Sequence, residues 1–137
     1  MRRLSIYLGL FAFVAVTVVG NRSVDATSTF NKQWKEVYLS GDDVDADFKK
    51  TARKAGCYVC HVKGKDKKEV RNEYGEAVHQ YLDAEEFSKE YVKENEEKAA
   101  EQIQEGLKKA AEEKSEDGRT FGEKLEALEL PATNSGL

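Results

Sequence analysis

The chain is poor in most of the residues that carry chemistry. It has 137 residues but only two cysteines, two histidines, one methionine, one tryptophan and one proline. Two cysteines cannot make a multi-disulfide framework, and a four-cysteine zinc site is excluded outright. No stretch alternates apolar and polar residues with period two over the length of a strand, and no internal repeat is present. Beyond Gly20 there is no long apolar run, so the rest of the chain offers no membrane span. Acidic residues outnumber basic ones, 26 to 22. That balance speaks against a nucleic-acid partner or an anionic membrane surface.

What is present begins at the N-terminus. Met1-Arg2-Arg3 is a short basic segment, and Ile6 to Gly20 is almost wholly apolar. The run is too short for a comfortable span and fits a secretory signal peptide. Cleavage is expected after Gly20 or, by the better pattern Val24-Asp25-Ala26, after Ala26. An uncleaved anchor is the alternative, disfavoured by the lack of basic flanks after Gly20. The expected organisation is a signal peptide over 1–26 and one small domain over 27–137, with 130–137 as a flexible tail. Loss of Arg2, Arg3, Arg22 and Asp25 leaves 19 basic and 25 acidic residues, a net charge of −6.

The remaining periodicity is helical. Phe30, Trp34, Val37 and Tyr38 form one stripe, with Ser28 as a candidate cap and Gly41 as a stop. A second helix is expected from about Asp45 to Ala55, with Phe48, Ala52 and Ala55 on one face. Residues 62–69 read as a basic loop. Tyr74, Val78, Tyr81 and Leu82 make the next stripe. Asp83 and Glu86 suggest a new start, followed by a long helix carrying Phe87, Tyr91, Ala99, Ile103, Leu107 and Ala110. Its Glu/Lys runs read as a solvated face. Ser115–Gly118 is a turn. Thr120 and Glu123 form a capping box for a last helix, with Phe121, Leu125 and Leu128 inward and Pro131 as its stop. The fold class is all-α.

Both cysteines and one histidine fall within Cys57-Tyr58-Val59-Cys60-His61, the C-x-x-C-H signature of covalent c-type haem attachment. Two thiols three residues apart can be presented to the two vinyl groups of one porphyrin, and the adjacent imidazole can reach the iron. The pair of cysteines has three other readings. Zinc could count Cys57, Cys60, His61 and His79, but adjacent ligands such as Cys60 and His61 are not zinc spacing. A thioredoxin-like pair would follow a strand. A disulfide would close a very small loop. Haem attachment accounts for the spacing, the histidine, the export signal and the helical setting together.

On these residues the chain resembles the small secreted monohaem c-type cytochromes. The resemblance implies a helical domain wrapped around one haem c, thioether bonds from Cys57 and Cys60, and His61 as proximal iron ligand. It implies one-electron transfer outside the cytoplasm, periplasmic or secreted, to redox partner proteins rather than enzymatic turnover. It also implies an aromatic contact between terminal helices, for which Phe48, Phe121 and Trp34 are candidates. Arg71-Asn72 and Tyr74-Gly75 fall where the family often has a tight segment near the haem edge.

There are two departures. No proline accompanies Gly64, so the carbonyl that usually supports the proximal histidine must come from elsewhere. The only methionine, Met1, would leave with the signal peptide, so methionine cannot be the sixth ligand. His79 is the candidate second ligand, although it lies off the Tyr74 stripe. A loop lysine, Tyr74, water or an open site are the others. An open site would bind a small gas or react with peroxide, with Arg71 and His79 imaginable as distal groups. Lys63, Lys65, Lys67 and Lys68 could steer an acidic redox partner or simply keep the loop soluble.

Overall fold

The structure, a computed structural model, describes residues 24–67 and 70–132. The expected signal segment lies outside the described residues except for 24–26, and so do Lys68 and the chain beyond Ala132. Among the described residues the fold is helical, with isolated bridges but no strand, as the periodicity predicts.

Helix α1, Val24–Leu39, starts earlier than expected. Ser28 sits inside it rather than capping it. Its inner face carries buried Trp34 and Leu39. Helix α2, Ala46–Ala55, is capped by Asp45, whose carboxylate accepts the Phe48 amide at 2.9 Å. Phe48, Ala52 and Ala55 are buried, the i, i+4, i+7 stripe read from sequence. Gly56 ends the helix at φ 55°, ψ −118°, a conformation closed to residues with a Cβ. The chain therefore turns directly into a 3₁₀ turn over Gly56–Val59 that carries the C-x-x-C segment.

Helix α3, Glu73–Tyr81, buries Tyr74, Ala77 and Val78, and Leu82 follows them inward. Tyr81, expected on that stripe, points outward instead at 41% exposure, and its hydroxyl donates to the Glu113 carboxylate. Ala77, at i+3 from Tyr74, is buried on that face. Asp83 caps only a 3₁₀ turn, Ala84–Glu86.

The expected long helix after Phe87 is two helices. Ser88 caps α4, Lys89–Glu94, and α5 runs Glu96–Glu112. Asn95 breaks the run: its backbone leaves the helical region, and its side chain turns back to the Tyr91 carbonyl at 3.0 Å. Helix α5 is central and packs on α1, α3, α4 and α6. Ala99, Ile103, Leu107 and Ala110 form its buried face.

Helix α6, Phe121–Glu126, opens with the predicted capping box. The Glu123 amide donates to Thr120 and the Thr120 amide to Glu123, at 3.0 and 2.7 Å. Leu128, expected inward, is 47% exposed and has φ 61°. It occupies the left-handed position that closes the helix, where the Glu129 amide donates back to Lys124. Pro131 and Ala132, assigned from sequence to the stop and the flexible tail, are buried in the core instead.

The core joins Trp34, Phe48, Val59, Tyr74, Ile103, Leu107 and Phe121 into one cluster. Phe121 finds its ring partner in Tyr74, edge-on at 5.2 Å, rather than in Phe48 or Trp34. Such a contact adds about 0.5–1.5 kcal/mol beyond area burial.

Candidate functional site

The C-x-x-C-H segment is clamped from one side by the start of α3. The Asn72 side-chain amide donates to the Val59 carbonyl at 3.0 Å and the Tyr58 carbonyl at 3.2 Å. Its oxygen accepts the Gly75 amide at 2.8 Å, so one side chain both caps α3 and ties down the turn. The Asn72 backbone amide adds a bond to the Cys60 carbonyl at 3.0 Å, and His61 pairs with Arg71 across an antiparallel bridge. Asn72 is 2% exposed, and all of its amide chemistry is used on the motif and the cap.

His61 is half-buried. Its Nδ1 lies 3.3 Å from the Val70 carbonyl. A carbonyl only accepts, so Nδ1 is the protonated nitrogen and Nε2 keeps its lone pair. Burial holds the imidazole pKa below its ordinary value. The Val70 bond opposes that shift, and the Arg71 and Lys67 cations reinforce it. The ring is therefore neutral near pH 7, the form that ligates a metal. Val70 supplies the backbone support that the missing proline left unassigned.

The two thiols differ. Cys57 is exposed and Cys60 is partly buried; both are free. Burial pushes the Cys60 thiol up to about 12, with Cys57 adding to the rise and Arg71 opposing it. Cys60 borders a buried hydrogen-bonded cluster. Trp34 Nε1 donates to the Tyr74 hydroxyl at 3.2 Å, Tyr38 lies beside Tyr74, and the Tyr38 hydroxyl donates to the Leu107 carbonyl at 3.0 Å. Desolvation raises both tyrosine pKa values, so both phenols stay protonated.

The other predicted residues are more scattered. His79 is exposed, in the last turn of α3, whereas the motif docks at that helix's first turn. Seven residues of helix separate it from Asn72, about 10 Å along the axis. Among the described residues no three His, Cys, Asp or Glu side chains are grouped as metal ligands, so His79 does not join Cys57, Cys60 and His61 in a zinc-type cluster. Lys63, Lys65 and Lys67 are exposed, and the Lys67 ammonium lies over the Tyr58 ring, 5.2 Å from its centroid. Arg71 is spent partly on Glu76, at 4.0 Å.

Val70 lies outside the sequence analysis, and Asn72 enters it only as part of a tight segment that the resemblance implies. Val70 acts through its carbonyl, which no side-chain pattern reveals. The role of Asn72 was signalled by an Asn three residues before Gly75 at a helix start, an N-cap pattern.

Chemically, the segment presents two thiols of unequal exposure beside a neutral imidazole whose Nε2 is unprotonated. That donor set suits thiols that bond to a ligand's carbon frame while the imidazole reaches its metal. Comparisons with protein-family models, with curated proteins and with solved structures find no match for this chain.

Proposed function

We propose that the protein is an exported monohaem c-type protein that carries single electrons. In this reading Cys57 and Cys60 form the thioether bonds and His61 Nε2 is the proximal ligand, with no methionine on the iron. The observation that carries it is His61, held through Nδ1 by Val70 so that Nε2 keeps its lone pair, directly after the two thiols. When bound, the haem supplies a one-electron iron couple. The residues of this chain orient its ligand, fix the turn that carries the thiols, and surround the exposed side with Lys63, Lys65 and Lys67 for redox partner proteins. Lys68 belongs to that reading but lies outside the described residues. Export through residues 1–26 places loading outside the cytoplasm. Among the described residues no helix is long and apolar enough to cross a membrane.

The exposed position of His79 favours a second reading. An iron with an open or weakly held sixth position would bind a small gas or react with peroxide. One experiment tests both. The chain is expressed with haem-maturation machinery and its visible spectrum is recorded before and after carbon monoxide. Covalent haem with sharp reduced bands that ignore carbon monoxide supports electron transfer. Bands that shift support the open site. Absence of covalent haem overturns both, and Cys57→Ala/Cys60→Ala is the matching negative control.

A further inference from the structure

Lys124 is a lysine that the amphipathic pattern gives no reason to bury, yet it is 3% exposed. Its ammonium sits 3.4 Å from Ser115 Oγ, 3.5 Å from Asp117 Oδ2 and 3.8 Å from Glu73 Oε1. Burying a cation is costly unless partners surround it, and here two carboxylates and a hydroxyl do. The partners belong to different parts of the chain. Ser115 and Asp117 lie in the turn before α6, whereas Glu73 opens α3, next to Asn72.

The turn reaches the same place twice more. The Glu116 amide donates to Glu73 Oε2 at 3.0 Å, and Phe121 packs on Tyr74. The C-terminal unit therefore grips the first turn of α3 by charge, by a hydrogen bond and by a ring contact. That same turn, through Asn72 and Gly75, grips the Cys57–His61 segment.

We propose that Lys124 is a positioning residue for the C-x-x-C-H segment, acting through Glu73 and the Asn72 clamp. The C-terminal unit is then part of the site although it contributes no atom to the thiols or the imidazole. The positioning itself does not depend on haem. Its consequence for a haem potential rests on the function proposed above.

The test uses the full chain, free of haem, under native conditions, and reads thiol alkylation residue by residue. Cys60 is partly buried and its thiol is held protonated by burial, so it reacts slowly in place and faster when the segment lifts, whereas Cys57 is already exposed. Lys124→Met keeps the aliphatic stem and removes the charge. Glu73 and Asp117 are open enough to water to be resolvated, with side chains 22% and 43% exposed, so this variant is expected to fold. Its Cys60 should react faster by on the order of tenfold, within the range that networked charges contribute, while Cys57 changes little. Glu73→Gln breaks the same link from the other side and should do likewise. Ile103→Val loosens the core away from the link and serves as the control. An unchanged Cys60 rate in folded Lys124→Met and Glu73→Gln overturns the proposal. So does an equal acceleration in Ile103→Val, which would make Lys124 merely stabilising. Since no haem enters, failure here is distinct from failure of the haem reading, which the spectrum decides.

Discussion

Gly75 lies so close to the Cys60 carbonyl that a Cβ on it would stand 1.9 Å from that oxygen and 2.9 Å from the carbonyl carbon. Both atoms are backbone, so no side-chain rotation can relieve the contact. Gly75→Ala should therefore push α3 off the C-x-x-C turn and cost about 3 kcal/mol, the upper part of the overpacking range. Denaturant unfolding of the two proteins measures it.

Asn72→Ala removes the α3 cap and the donor to Tyr58 and Val59 together. The cap alone is worth about 1 kcal/mol, and the buried Val59 carbonyl and the part-buried Tyr58 carbonyl lose a donor, so a loss of about 2–3 kcal/mol is expected. Amide exchange at Gly75 should accelerate more than exchange in the centre of α5. Equal acceleration at both places would mean that Asn72 is not a local clamp.

His79→Ala should leave the visible spectrum of the haem-loaded protein unchanged. His79 is exposed in the last turn of α3 and points away from the buried Tyr74 and Val78 face. Conversion of a low-spin to a high-spin spectrum would instead make it the second axial ligand.

Leu128→Gly should stabilise the protein. The residue is exposed and has φ 61°, so the substitution relieves a left-handed conformation and gives up little packing. A gain of about 0.5–1 kcal/mol is expected, since glycine's extra chain entropy in the unfolded state offsets part of the relief.

Asp117 makes part of the stability pH-dependent. The Ser115 hydroxyl, the Arg119 backbone amide and the Arg119 guanidinium hold its carboxyl well below the usual range. A carboxyl whose folded pKa is depressed stabilises above its unfolded value, near pH 4, and loses that contribution as pH falls further. Asp117→Asn should be less stable than the native chain at pH 7, with a gap that closes below about pH 4. Denaturation curves across that range check it.

Local signals in the sequence carried much of this fold. The Phe48–Ala52–Ala55 stripe and the Thr120/Glu123 box act within about two turns of helix, so their residues alone predict them. The failures are tertiary. Tyr81 and Leu128 are apolar enough to be read as inward, but Tyr81 bonds outward to Glu113 and Leu128 takes the left-handed position just past α6. The break at Asn95 depends on a side chain that bonds backward to Tyr91, in competition with strong helix formers on both sides. At the candidate site the thiols and His61 were legible as a motif. Val70 was not, because its contribution is a carbonyl, nor was the burial of Lys124, which needs partners from two separate segments.

The sole tryptophan gives this architecture an optical consequence. The Trp34 indole touches Tyr74 beneath the Cys60 side of the motif, inside the core and out of water. Its emission therefore reports on whether α1 is docked against α3. A porphyrin attached at Cys57 and Cys60 would lie within energy-transfer range of that indole and darken it. One tryptophan then separates unfolded from folded chains without any label and, under the proposed haem reading, folded chains from loaded ones.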